Sequence, residues 1–218
     1  MAFPNIRRSD FSHSLAHLTK EREEYVRDEN MLESKLRVVP AFDVLKEILI
    51  SGVIRSSLGF VKGARPVVCF SEIPLSSIRE YAKPPNEDDN IRRYRMYGVM
   101  LSKSAVFKLG GRPVIYLPDA QGVWIPDERK WQHVRFEHGQ VDFTHEREWR
   151  MLGDLDLKQV PSLYVLVWSL LEAKMIRELK TPVSDKIIAV LPMEHITTMA
   201  YLFRYPWGLK PARIHRTR

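Results

Sequence analysis

The residues best able to do chemistry are Asp142-Phe143-Thr144-His145-Glu146-Arg147-Glu148-Trp149-Arg150. Read as a strand, this segment puts Glu146, Glu148 and Arg150 on one face, with Arg147 and Trp149 on the other. Such a face is either a solvated one with weak Glu–Arg pairs or the wall of a cleft. In a cleft, a guanidinium holds a carboxylate ionised and aimed at a substrate hydroxyl or a developing cation. Two earlier segments also carry candidates: His17-Leu18-Thr19, and Val67-Val68-Cys69-Phe70-Ser71-Glu72-Ile73-Pro74-Leu75. His17 and Ser71 are either ligand contacts or ordinary polar groups of a strand. Cys69, between Val68 and Phe70, reads as a small core residue rather than a nucleophile.

Several chemistries lack their signatures. The chain has no G-x-G-x-x-G, no G-x-x-x-x-G-K-[ST] and no G-x-S-x-G. His145-Glu146 opens like a zinc-protease motif, but Trp149 stands where the second histidine belongs. His133, His138 and His145 match no metal spacing, and no metal is expected. A weaker reading is a metal-dependent nuclease using Asp142, Glu146 and Glu148. Tyr97, Trp124, Trp131 and Trp149 read as packing residues, though one of the tryptophans could stack on a base or another flat ligand ring.

The elements that must position these residues follow from periodicity. Ala41 to Ser51 has an apolar helical stripe, with Gly52 at the C′ position. Strands are expected at Pro66–Phe70, Tyr97–Leu101, Pro113–Leu117, Leu163–Trp168 and Ile187–Leu191. An antiparallel pair is expected from Trp131–Glu137 and Val141–Leu152. Short helices are expected at Pro74–Ala82, Ser104–Leu109 and Leu170–Leu179, with a final one at Met193–Phe203. Irregular alternation of strands and helices indicates an α+β fold with a mostly antiparallel sheet, not a Rossmann fold or a barrel.

The chain of 218 residues reads as one domain, 1–218, with a basic C-terminal tail. Its single cysteine leaves no disulfide framework within one chain and fits a reducing compartment. The first ten residues hold Arg7 and Arg8 and no apolar run, unlike a secretory signal, and the uncharged stretch Gln159–Leu171 is too short to span a bilayer. A cytoplasmic protein without membrane contact is expected. The net charge of +7 is clustered at Arg92, Arg93 and Arg95 and at Lys210, Arg213, Arg216 and Arg218. These clusters are either solvated surface or phosphate contacts for a nucleic acid.

His17-x-Thr19, a helix ending Ile48-Leu49-Ile50-Ser51-Gly52, a strand with Phe70-Ser71 and a late Glu146-x-Glu148 strand together resemble the ADP-ribosyltransferase superfamily. The opening is similar to DarT-type toxins that modify nucleic-acid bases. Cys69 to Leu75 and Tyr97-Gly98 with Glu146 to Arg150 look more like AbiGi-type abortive-infection proteins. The resemblance covers about residues 11 to 155 and implies a split antiparallel β-sandwich with flanking helices. It also implies an NAD-dependent transferase, acting as a toxin or antiphage effector on RNA or DNA and held in check by a neutralising antitoxin protein.

By that resemblance Glu148 is the catalytic carboxylate and Glu146 the acceptor-side residue. His17, Thr19, Phe70, Ser71, Tyr97 and Arg150 would contact NAD, with Tyr81 or Tyr97 as candidates for the nicotinamide floor. Arg92, Arg93, Arg95, Arg213 and Arg216 would hold the nucleic acid. AbiGi-type proteins have also been described as antitoxin components, so the alternative that the resemblance implies is an inactive antitoxin or sensor module that binds a partner protein.

Overall fold

A computed structural model describes residues 12–27, 34–78, 82 and 94–195. The chain runs β1 (Ser14–Leu18), β2 (Arg22–Arg27), β3 (Ser34–Val39), α1 (Ala41–Ser51), β4 (Val53–Ile54), β5 (Val67–Ser71), β6 (Gly98–Ser102), α2 (Lys103–Lys108), β7 (Arg112–Pro113), β8 (Ile115–Leu117), β9 (His133–Arg135), β10 (Glu148–Leu152), β11 (Leu155–Asp156), β12 (Leu163–Val167), α3 (Leu170–Glu178) and β13 (Ile187–Pro192). It is a mixed α and β fold. Seven strands form one sheet in the order β13-β12-β6-β1-β5-β10-β7, and β2–β3, β4–β11 and β8–β9 form two-stranded pairs. Within the seven-stranded sheet only β12–β13 is parallel.

The helices start and stop for local reasons. Gly52 ends α1 at φ 69°, a left-handed conformation that glycine adopts without a Cβ penalty. The Ser102 hydroxyl caps α2 by accepting from the Ala105 amide. Ser169 and Glu172 form a reciprocal capping box on α3. Leu45, Ile48 and Leu49 of α1 pack on Leu15, Val68, Phe70, Val99, Leu101, Trp149 and Met151 of the sheet, forming the main core. The opposite sheet face is apolar over Ala16, Leu18, Met100 and Leu166, where Ile78, Ala82, Met96 and Met193 cover it.

The centre of the sheet is forked. β1 pairs with β6 along its length, and β5 pairs with β10 along its length. Between β1 and β5 only Ala16 and Ser71 are in register. Beyond that point the two strands diverge. The exposed edge of β5 is satisfied at Val67 by two backbone hydrogen bonds with Ser57, each 3.0 Å, and at the Cys69 carbonyl by the His17 ring.

Two expectations are corrected. Trp131–Glu137 and Val141–Leu152 do not form a hairpin. Asp127–Gln132 is a 3-10 helix, β9 pairs in parallel with β8, and only the Glu137–Val141 bridge around Gly139 is antiparallel. Pro113–Leu117 is likewise not one strand. Proline lacks the amide that would continue a ladder, so β7 ends at Pro113 against β10, and β8 turns away to β9. The helix expected over Pro74–Ala82 is described only at Leu75–Ile78 and Ala82, and that of Met193–Phe203 only at its first three residues. The 83–90 loop, Tyr81 and the basic tail lie outside the described residues.

Gly98 is required by β1. A Cβ on it would stand 2.2 Å from the His17 carbonyl oxygen, which is backbone and cannot swing aside. Gly98→Ala should destabilise the protein by at least about 1–3 kcal/mol, the usual range for overpacking a close-packed interior. A lowered denaturation midpoint with unchanged m-value would show it.

Candidate functional site

The gap between β1 and β5 is a cleft of about 260 Å³. One wall runs from Ala16 to Arg22, and the other from Val67 to Ser71 with Glu146 and Glu148 beside it. Tyr94, Val44, Arg55 and Ser57 complete the lining. Residues from distant parts of the chain therefore meet at one fork.

His17 occupies the crotch. Its Nδ1 lies 2.9 Å from the Cys69 carbonyl oxygen, and its ring meets Phe70 edge-on at 6.0 Å. A carbonyl only accepts, so Nδ1 carries the proton. Burial lowers the His17 pKa below the ordinary 6.5, against the opposing effect of the Cys69 hydrogen bond. The ring is neutral at pH 7, and its Nε2 carries the lone pair. The unfolded chain then takes up a proton near pH 6.5 that the native state resists. Stability from His17 is full above pH 6.5 and is lost as pH falls below it. Denaturation midpoints should drop more steeply between pH 6.5 and 5 for the wild type than for His17→Asn; parallel curves would contradict a neutral His17.

Glu148 opposes Ser71 across the β5–β10 pair, and Arg150 opposes Cys69, so these four share one sheet face. The Arg150 guanidinium grips both Glu148 oxygens, Nε to Oε1 at 2.7 Å and Nη2 to Oε2 at 3.2 Å. It also donates to the Trp131 carbonyl at 2.8 Å and the His133 carbonyl at 3.4 Å. Arg150 is thus the support of Glu148 and does not line the cleft. The Tyr116 hydroxyl accepts from the Glu148 amide at 2.9 Å. Burial first, then the Glu148 carboxylate, push the Cys69 thiol up to about 12. Cys69 is therefore a neutral thiol and no nucleophile at pH 7.

Glu146 reaches the cleft by a route that strand alternation does not describe. It ends the 3-10 turn Thr144–Glu146, and Arg147 follows at φ 44°, a left-handed conformation uncommon outside glycine. The Asp142 carboxylate starts this turn by accepting from the Thr144 amide at 2.9 Å and its hydroxyl at 2.6 Å. The strand expected through Glu146 therefore begins only at Glu148. Both carboxylates still line the cleft.

The remaining candidates divide. Ser71 is buried and lines the cleft. Phe70 is a core residue whose ring buttresses His17. Thr19 lines the cleft, but its hydroxyl donates to the Ala41 carbonyl at 2.9 Å, pinning β1 to the start of α1. Tyr97 is not brought to the cleft. Its ring packs on Phe42 at 5.5 Å, and its hydroxyl donates to Glu172 at 2.7 Å. Arg95 forms an ion pair with Glu21 at 3.1 Å on a largely buried side chain, a tie within the fold rather than a solvated phosphate contact. Arg92, Arg93, Arg213, Arg216 and Arg218 lie outside the described residues. The His133 ring bonds to the Leu117 carbonyl at 3.0 Å. Among the described residues no three His, Cys, Asp or Glu side chains converge as a metal site, so Asp142, Glu146 and Glu148 do not form one. No helix among them is long and apolar enough to cross a membrane.

Tyr94 is the residue sequence reasoning missed. It lines the cleft, and burial, then Cys69, Glu146 and Glu148, raise its phenol above the ordinary range, so it is a neutral hydroxyl beside both carboxylates. No family model, curated protein or solved structure matches the chain.

Proposed function

We propose that the protein is an NAD-dependent ADP-ribosyltransferase with the superfamily's split-sheet fold, acting as a cytoplasmic toxin or antiphage effector on nucleic acid. The observation that carries the reading is the forked sheet, whose cleft gathers His17, Ser71, Tyr94, Glu146 and Glu148. The donor set suits the nicotinamide-ribose half of NAD. His17 Nε2 and the carboxylates accept from ribose hydroxyls, and Tyr94 offers an aromatic surface. Lys20 also lines the cleft and suits a phosphate, whereas Arg22 and Arg55 on the same lining are ion-paired with Glu24 and Glu47 and with Asp154. At about 260 Å³ the cleft lies just under the usual small-ligand range and has room for a nucleoside half rather than a whole dinucleotide.

NAD supplies an activated N-glycosidic bond, whose cleavage develops positive charge on the ribose. Glu148, held by Arg150, places a fixed carboxylate where that charge appears, which lowers the barrier without tightening ground-state binding. Glu146, on the neighbouring turn, is placed to orient or deprotonate the acceptor.

Incubation with labelled NAD and separate DNA, RNA and protein pools tests the reading. Label should appear on nucleic acid; a protein toxic in cells that labels none of the pools would leave the reading without support. Millimolar NAD should also raise the melting temperature, and His17→Ala and Ser71→Ala should shrink that shift. A second reading, an inactive antitoxin or sensor module that binds a partner protein, draws on the fact that Arg150 already engages both Glu148 oxygens. An expressed protein that is harmless without a partner, and unlabelled by NAD, would favour it.

A further inference from the structure

On its β7 side, the backbone of Glu148 is held by only half of a strand pair. β7 and β10 run antiparallel, with Trp149 opposite Pro113 and Arg150 opposite Arg112. One step further along this register Glu148 stands opposite Val114. In such a ladder every second opposed pair exchanges two backbone hydrogen bonds. The Val114 amide makes one of them, donating to the Glu148 carbonyl at 3.0 Å. The Glu148 amide does not return the bond. It donates instead to the Tyr116 hydroxyl at 2.9 Å. The chain has turned away after Pro113 to enter β8, and a side chain two residues on takes the place of the backbone carbonyl.

The amide so held is the first of β10, directly after Arg147 at φ 44°. The same part of the fold grips Glu148 a second time. Trp131, on the turn before β9, and His133, in β9, offer their carbonyls to Arg150, and that guanidinium holds both Glu148 oxygens. β8, β9 and the turns between them therefore reach Glu148 through its amide and through its carboxylate. This unit is itself tightly set. The His133 ring bonds to the Leu117 carbonyl across the β8–β9 pair at 3.0 Å, and a Cβ at Gly122 would stand 2.1 Å from the imidazole. Burial raises the Tyr116 phenol above its ordinary range, so the hydroxyl is neutral at pH 7. Tyr116 does not line the cleft, and any part it plays there passes through Glu148.

We propose that Tyr116 is a positioning residue, whose hydroxyl fixes the Glu148 peptide so that the carboxylate enters the cleft in one orientation; this rests on the transferase reading above for the reaction that Glu148 serves. Grips on the amide and on the carboxylate leave neither end of the residue free to rotate. A reacting group must keep its geometry within about 0.5 Å, and a displacement of about 1 Å can cost about a hundredfold in rate. The ladder bond missing after Pro113 is the weak point in that geometry, and the Tyr116 hydroxyl closes it.

Tyr116→Phe removes the acceptor and keeps the ring. In the full chain without NAD, the Glu148 amide should exchange with deuterated solvent up to about tenfold faster. Amides of the β5–β10 ladder should keep their rates, and the melting temperature should stay close to that of the wild type. With NAD, turnover should fall by about ten- to hundredfold, in kcat with KM unchanged. In the Glu148→Gln background the same substitution should cost almost nothing further, because no carboxylate is left to aim. A tyrosine that only supports the fold would lower turnover equally in both backgrounds. Unchanged exchange at Glu148, wild-type turnover in Tyr116→Phe, or equal losses in the two backgrounds would each overturn the proposal. A wild type that turns over no NAD would overturn the transferase reading instead, and the exchange rates would still decide whether Tyr116 holds Glu148.

Discussion

Glu148→Gln should lower NAD turnover by about two to three orders of magnitude while leaving NAD binding nearly unchanged. The amide keeps the size and shape of the side chain and one oxygen for Arg150. It removes the full charge that a developing cation on the ribose requires. Loss of one preorganised electrostatic group costs about 10²–10³ in rate. An interaction that strengthens only in the transition state appears in kcat rather than in KM. Glu146→Gln should behave differently, lowering transfer to the acceptor more than simple hydrolysis of NAD. Single-turnover assays with labelled NAD separate the two outcomes. A Glu148→Gln protein that is folded by its melting temperature and still turns over or remains toxic would remove Glu148 from the mechanism.

What the sequence made legible were the elements with one dominant local cause. The 3.6-residue stripe with Gly52 identified α1, and the helix expected at Leu170–Leu179 is found as α3. Apolar runs located β5, β6, β12 and β13, though only Val190 of β13 is buried. The failures came where alternation was read through a turn. Val141–Leu152 alternates well enough for a strand, but Asp142-x-Thr144 is an Asx-turn signature, and its competing hydrogen bonds break the ladder before Glu148. Pro113 similarly marked a break that periodicity hid.

The site was partly legible for a different reason. His17, Ser71 and Glu148 were singled out together only by resemblance to a family, and the structure lines one cleft with all three. Tyr94 was hidden because its neighbours Arg92, Arg93 and Arg95 invited a surface reading of the whole segment. The backbone hydrogen bond from Arg95 to the Thr19 carbonyl, 2.9 Å, is long-range and leaves no local trace. The same holds for Tyr97, whose tie to Glu172 joins residues 75 positions apart.

Arg150→Met should be the most destabilising substitution at the site, costing about 3–5 kcal/mol. The Glu148 and Arg150 side chains are only 11% and 9% exposed, so the pair is not a screened surface bridge. Methionine matches the volume of the aliphatic stem and leaves no cavity of consequence. It removes every donor to the Glu148 carboxylate that Arg150 supplies, together with the donor to the Trp131 and His133 carbonyls. An uncompensated, largely buried carboxylate is the expensive half of a broken pair. Arg150→Lys retains the charge but not the fork, and one ammonium cannot span both oxygens and two carbonyls, so it should recover only part of the loss. Glu148→Gln with Arg150→Met supplies the decisive comparison. If the penalty lies in the stranded charge, the double variant should be more stable than Arg150→Met alone, with a coupling energy above about 1 kcal/mol by denaturant unfolding. Additive losses, or an Arg150→Met cost under about 1 kcal/mol, would mean that Arg150 does not hold Glu148 for catalysis and that the cleft carboxylate is oriented by something else.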